Sequence, residues 1–135
     1  MKYKIILGLL LLSLIFSIIL VLYKGSALCA SLEGCEIVKN SEYAYTFGVN
    51  NSYYGIIIFT FLSIITYLQI TNPSNTKRIF LKVVLLIGSI IALRFIYIQA
   101  FILNAYCTSC LIIDTSVILA TFVSIKKGEV KLYDK

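Results

Sequence analysis

The chain has 135 residues, of which 60% are hydrophobic, and it contains one proline and no histidine. A soluble domain of this length cannot bury so much apolar side chain, so the composition excludes an ordinary water-soluble fold. The formal net charge of +6 comes from basic residues that flank apolar segments. Membrane topology accounts for that charge, and we expect no nucleic-acid partner.

Four long apolar segments follow one another along the chain, at residues 5–23, 53–70, 79–104 and 107–125. At about 1.5 Å rise per residue, each can cross or nearly cross a hydrocarbon core of about 30 Å as a helix. Little sequence lies between the segments, so we expect one domain over residues 1–135. The predicted fold is an all-α integral membrane bundle of four transmembrane helices, surrounded by lipid.

The first segment has some features of a secretory signal. Lys2 and Lys4 precede it, and Cys29 follows a run of small residues, as at a lipoprotein cleavage site. Its apolar core is too long for a signal peptide, and Leu28 stands where a small residue is needed before the cysteine. We therefore expect this segment to be retained as a membrane span.

Basic residues near the span ends predict the orientation, because Lys and Arg are enriched in cytoplasmic loops. They precede the first span, surround the turn between the second and third, and follow the fourth: Lys2, Lys4, Lys77, Arg78, Lys82, Lys126, Lys127, Lys131 and Lys135. Residues 24–52 contain two lysines and three glutamates. We expect a multi-pass protein of the cell membrane with both termini cytoplasmic and a long exported loop between the first two spans.

In this topology all four cysteines lie on the exported face, where oxidising conditions favour disulfides. Cys29 and Cys35 lie in the loop, and Cys107 and Cys110 lie where the fourth span begins. The second pair is a Cys-x-x-Cys at a helix N-terminus, where the macrodipole and free N–H groups stabilise a thiolate. A disulfide in the first pair closes a loop short enough to contribute only about 2 kcal/mol. The spacing favours a redox relay by thiol–disulfide exchange over structural cross-links.

Other interpretations of the cysteines are open at this point. Four thiolates can bind zinc, although Cys-x5-Cys matches zinc spacing loosely. A transporter can pass a soft metal ion between thiolate pairs. A small membrane assembly protein can carry two structural disulfides. We expect no metal site, because the spacing fits redox exchange better.

The order of the motifs resembles the vitamin K epoxide reductase (VKOR) family of membrane thiol oxidoreductases. The resemblance runs from the first span to the fourth. The matching stretches are Cys29-x5-Cys35 followed by Ser41, the run from Phe47 to Gly55, and the run from Tyr97 to Phe101 that leads to Cys107-x-x-Cys110.

The resemblance implies an enzyme, a quinone-dependent protein-thiol oxidoreductase that generates disulfides for exported proteins. Carried onto this sequence, Cys110 would face the quinone and Cys107 would form an interchange disulfide with Cys35. Cys29 would receive the attack of a partner protein. Many bacterial members have a fused thioredoxin-like domain and this chain ends soon after the fourth span, so we expect a separate, DsbA-like thioredoxin-fold partner.

The resemblance also implies a binding site for a quinone of the ubiquinone or menaquinone type. Ser41 and Asn51 match a family hydroxyl and amide near the quinone head, although Asn51 is also a candidate N-cap for the second span. Asp114 stands four residues after the last cysteine, where the animal vitamin K enzymes have a quinone-contacting Tyr. This departure leaves vitamin K epoxide without support as a substrate.

Two charged residues lie inside the predicted spans. Asp114 is one helical turn from Cys110 and can supply or take protons there. Arg94 lies at a similar depth, and the cost of charge in lipid predicts that both face the bundle interior, as an ion pair or a proton relay. Gln99 points about 140° away from Arg94 around the helix, so it is expected on a different seam.

Overall fold

The computed structural model describes residues 1–22 and 32–126. Within these two ranges lie five α-helices: α1 (Lys2–Leu22), α2 (Leu32–Asn40), α3 (Asn51–Thr71), α4 (Asn75–Tyr97) and α5 (Thr108–Ile125). A 3-10 turn (Glu42–Ala44) and two antiparallel strands, β1 (Tyr45–Thr46) and β2 (Val49–Asn50), lie between α2 and α3. A π-helical segment, Ile98–Ile102, continues α4.

Among the described residues, four helices are long and apolar enough to cross a membrane: α1, α3, α4 with its π-helical continuation, and α5. The predicted all-α bundle of four membrane helices is therefore confirmed. The predicted span limits differ by a few residues from the observed helices, because hydropathy does not register caps. The fourth membrane helix, α5, begins at Thr108, since Cys107 is its N-cap and has an extended backbone.

The four long helices pack in the order α3, α1, α5, α4, since α1 contacts both α3 and α5, and α4 packs mainly on α5. Gly55 permits the close approach of α3 to α1, because a Cβ there would lie 2.9 Å from Ser17 Oγ. Thr121 Oγ1 joins α5 to α4 by donating to the Leu85 carbonyl at 2.9 Å. Contacts between α3 and α4 are few by comparison.

The apolar core fills one half of the bundle. It consists of Ile6, Leu10, Leu62, Leu81, Leu85 and Ala120. This half includes the first turns of α1 and the end of α5, where Lys2 Nζ donates to the Lys126 carbonyl at 2.9 Å. The other half contains the start of α5, the end of α4 and the connection from α1 to α3, and it contains the site.

The described part of the connection between α1 and α3, residues 32–50, contains a helix, a 3-10 turn and two short strands, where the sequence predicted a long loop. Lys39 of α2 donates from Nζ to the carbonyl of Leu20 at 2.7 Å. A cation at the last carbonyls of a helix complements the helix dipole, so this contact holds α2 against the end of α1.

A small hairpin leads from α2 into α3. Phe47 and Gly48 form its turn with φ of 53° and 79°, which matches the right-handed twist of paired strands. Asn50 then caps α3, because its side chain accepts a hydrogen bond from Ser52 N at 3.0 Å. The alternative that Asn51 caps this helix is wrong, since Asn51 is its first helical residue.

Candidate functional site

Cys35 and Cys107, 72 positions apart in the sequence, meet in the structure. Their Sγ atoms lie 3.3 Å apart, and both residues are buried. Cys35 is disulfide-bonded and Cys107 is a free thiol. A disulfide sulfur has no proton, so Cys107 is the group that donates to Cys35 or attacks it. The other predicted loop cysteine, Cys29, lies outside the described residues.

Cys107 occupies the N-cap of α5, where its Sγ accepts a hydrogen bond from Cys110 N at 3.4 Å. The hydrogen bond with the Cys110 thiol lowers the pKa of Cys107 from 9.0 to about 7, against the opposing effect of burial. Backbone N–H groups of Cys110 and Ser109 and the charge of Lys39 act in the same direction as that bond. Near neutral pH, Cys107 is therefore a thiolate, the reactive form, in about half of the protein molecules.

A largely apolar cavity of about 510 Å³ lies beside Cys110. α3 and α4 contribute the largest shares of its wall, and the hairpin, the π-helical segment and α5 contribute to it as well. The volume falls within the range of about 300–1,000 Å³ that is usual for sites of drug-sized ligands. The few contacts between α3 and α4 thus reflect a space between them that an apolar molecule can enter.

The residues predicted to face a quinone all line this cavity: Ser41, Asn51, Cys110 and Asp114. The structure thus brings together side chains from the connection, α3 and α5. Their placement around one apolar space agrees with the predicted arrangement, and their roles in binding stay predictions.

Two of these side chains are partly engaged within the protein. Ser41 Oγ donates to the Val38 carbonyl at 2.7 Å, so its proton is already in use. Asn51 Nδ2 donates to the Tyr43 carbonyl at 3.0 Å, and Asn51 Oδ1 accepts from Thr46 Oγ1 at 2.7 Å. An amide nitrogen carries two hydrogens, so Asn51 keeps one N–H to donate to a ligand.

Asp114 is 9% exposed, and its Oδ2 is buried with no hydrogen-bond partner among the described residues. A buried carboxyl oxygen without a partner is costly unless a ligand supplies one. The predicted inward position of Arg94 and its ion pair with Asp114 are wrong, because Arg94 is exposed on α4. A long arginine stem can extend along a helix toward the interface, which lowers the cost of its charge in lipid.

Residues 4–125 match the model of the Vitamin K epoxide reductase family. The chain belongs to this family. No curated protein and no solved structure matches it. Membership makes the chain a multi-pass membrane oxidoreductase with a general role in thiol and quinone chemistry.

Two residues of this VKOR-family site were not assigned a role from the sequence. Gln99 is buried, and its Oε1 accepts a hydrogen bond from Cys107 N at 3.0 Å. Gln99 is buried and Arg94 is exposed, so the two side chains lie on different faces, as expected, although the predicted angle between them is not tested. Lys39 lies four residues after Cys35 on α2, and that spacing was the available signal, because residues four apart share a helix face.

Proposed function

We propose that this VKOR-family protein is a quinone-dependent thiol oxidoreductase that makes disulfides in exported proteins through a separate thioredoxin-fold partner. Electrons pass from the partner to Cys29 and Cys35, then to Cys107 and Cys110, and then to a quinone. The observation that carries the proposal is the contact of 3.3 Å between the sulfurs of Cys35 and Cys107, with Cys110 on the wall of an apolar cavity.

The transfer between the two cysteine pairs is a thiol–disulfide exchange. After the partner reduces the loop pair, the Cys35 thiolate attacks Cys107 in the Cys107–Cys110 disulfide, and Cys110 leaves as a thiolate. Cys29 then attacks Cys35, which re-forms the loop disulfide and releases Cys107. Two electrons have moved from Cys29 and Cys35 to Cys107 and Cys110, and no other oxidant is needed for this step. The coexistence of a disulfide-bonded Cys35 with thiols at Cys107 and Cys110 is the product state of this exchange.

The residues around the cavity fit a quinone. A bound quinone accepts two electrons and two protons. The apolar wall suits its ring and tail, and the remaining N–H of Asn51 can donate to a carbonyl oxygen at about 1 kcal/mol net. The unpartnered oxygen of Asp114 gives the cavity a second polar group, one helical turn from Cys110. Cys110 supplies the sulfur that faces this space.

Asp114 has a chemical role in this proposal. Reduction of a quinone consumes protons in a space that is lined largely by apolar side chains. A carboxyl group at the cavity wall can pass a proton to the carbonyl oxygen or take one from the Cys110 thiol. Neither exchange requires bulk water to enter the bundle.

The proposed orientation places both termini in the cytoplasm and the cysteines at the exported surface. The distribution of lysine and arginine supports it, because basic residues precede the first span, flank the turn between the second and third, and follow the fourth. An impermeant thiol reagent added to intact cells after reduction should label Cys29. Labelling only after the cells are opened would contradict this orientation.

Turnover of purified protein tests the function. Reconstituted protein supplied with a reduced thioredoxin-fold carrier and ubiquinone or menaquinone should consume two thiols for each quinone reduced. Cys110→Ala should abolish quinone reduction, whereas Thr108→Ala, within the same Cys-x-x-Cys, should retain it. Undiminished turnover in Cys110→Ala would end this assignment.

A further inference from the structure

Gln99 lies in an unusual stretch of backbone next to the cysteines. The segment Ile98–Ile102 is π-helical, with Leu103 N donating to the Ile98 carbonyl at 2.9 Å. Short π-helical turns weaken the regular hydrogen bonding of a helix and are frequent at functional sites. This one ends the membrane span formed by α4, five residues before Cys107.

The backbone and the side chain of Gln99 both hold the connection to α5. Its carbonyl accepts from Ala105 N at 3.1 Å, and its side-chain Oε1 accepts from Cys107 N at 3.0 Å. Asn104, immediately before Ala105, has φ of 47°, a conformation that asparagine adopts more readily than most residues. The connection is therefore bonded to Gln99 at two points within three residues.

The Cys107 amide depends on Gln99. Residues 103–107 are not helical, so no helix carbonyl serves this N–H. Cys107 is 1% exposed and Gln99 is 2% exposed, which keeps water from replacing the bond. A buried N–H without an acceptor is costly, so without Gln99 the Cys107 backbone would shift until this N–H found another acceptor. The Cys107 sulfur would shift with the backbone.

We propose that Gln99 is a positioning residue, which holds the Cys107 backbone so that its sulfur stays in contact with Cys35 for the exchange between the two cysteine pairs. The proposal rests on the proposed function. Reacting atoms about 3–3.5 Å apart are at the start of a productive approach, and the two sulfurs are 3.3 Å apart. In the step concerned, a bond forms between Cys35 and Cys107 while Cys107 parts from Cys110.

The test measures how close the two sulfurs are held, without quinone and without turnover. In a Cys29→Ser/Cys110→Ser background only Cys35 and Cys107 can form a disulfide. Equilibration with glutathione disulfide makes one protein disulfide and two molecules of glutathione. The equilibrium constant gives the effective concentration of Cys107 at Cys35, and mass spectrometry of the trapped protein measures it.

Gln99→Leu should lower that effective concentration about tenfold, the loss that corresponds to one buried hydrogen bond. Gln99→Glu, which keeps an acceptor oxygen, should stay within about threefold of the parent protein. Gln69→Leu is the matched control, because Gln69 is also buried and its Oε1 accepts from Ser74 N at 3.0 Å in the turn from α3 to α4. It should leave the value unchanged.

An equal fall in Gln69→Leu, or no fall in Gln99→Leu, would overturn the proposal. If Gln99→Leu does not fold, Gln99→Met tests the same loss with an unbranched side chain of similar length, and an unchanged value would again refute it. Because no quinone is present, a protein that lacks quinone activity can still pass this test. A failure here is thus distinct from a failure of the proposed function.

Discussion

Removing the Cys110 thiol should change the pH dependence of Cys107 reactivity. The hydrogen bond with Cys110 is the largest of the effects that lower the pKa of Cys107 to about 7. In Cys110→Ala that bond is lost while the burial of Cys107 remains. The pKa of Cys107 should therefore rise toward its ordinary value of 9.0.

The size of the effect follows from the two pKa values. At pH 7 a thiol with a pKa of about 7 is about half ionised, whereas one with a pKa of 9 is about 1% ionised. A more basic thiolate is a better nucleophile, and a Brønsted coefficient of about 0.5 returns about tenfold over two pKa units. The variant should react about fivefold more slowly at pH 7 and about fivefold faster at pH 9.

The assay follows the loss of free Cys107 in a Cys29→Ser/Cys35→Ser background, with a small neutral disulfide as the reagent. Fragment-ion mass spectrometry between pH 6 and pH 10 follows Cys107, and the Cys107–Cys110 disulfide that forms when Cys110 displaces the reagent thiol is counted as reacted Cys107. Thr108→Ala is the control and should keep a midpoint of about pH 7, the pKa of Cys107. The reasoning is refuted if Cys110→Ala and its parent follow the same profile, without the reversal of sign near pH 8.

Three further substitutions probe other parts of the site. Asp114→Asn keeps the shape of the side chain but cannot transfer a proton, so quinone-dependent turnover should fall about a hundredfold. The disulfide equilibrium between Cys35 and Cys107, measured in the Cys29→Ser/Cys110→Ser background, should stay unchanged. Equal losses in both assays would contradict this role of Asp114. Lys39→Met removes the charge that helps to lower the pKa of Cys107, so the thiolate absorbance near 240 nm should titrate at higher pH, and Lys39→Arg should titrate like the parent. Gly55→Ala brings a Cβ to within 2.9 Å of Ser17 Oγ and should destabilise the protein by about 1–3 kcal/mol, as measured by thermal unfolding in detergent. Adding Ser17→Ala should recover much of the lost stability. If it recovers none, the strain does not come from the contact with Ser17.

Much of the fold was predictable, because the physics of a bilayer acts on simple features of a sequence. Long apolar runs must become helices in lipid, and they predicted the four membrane helices closely. The spacing of Cys107 and Cys110 at the start of a span likewise predicted a helix N-terminus, and its backbone N–H groups act together with the larger effect of the Cys110 thiol to lower the pKa of Cys107. The membrane helices and the helix N-terminus at Cys107 both depend on residues that are close together in the sequence, so the sequence alone indicates them.

The parts that failed depend on contacts between distant residues or on helix phase. Arg94 was expected inside, since charge in lipid is costly, but the length of its side chain allows an outward position. Asn50 and Asn51 are chemically identical neighbours, and only the backbone of the hairpin decides which one caps α3. The bond from Gln99 to Cys107 depends on a π-helical turn that no residue pattern in Ile98–Ile102 indicates.

In the proposed function the N-cap residue of α5, Cys107, is also a redox residue, and this would link the oxidation state of the site to the order of the helix. As a thiolate, the Cys107 sulfur is an anionic acceptor for Cys110 N, and a negative charge at this end of a helix is stabilising. Once that sulfur enters a disulfide, it is neutral and a poor acceptor. The first turn of α5 should therefore be more ordered in the reduced protein than in the oxidised protein, and hydrogen exchange at the Cys110 amide should be slower in the reduced protein.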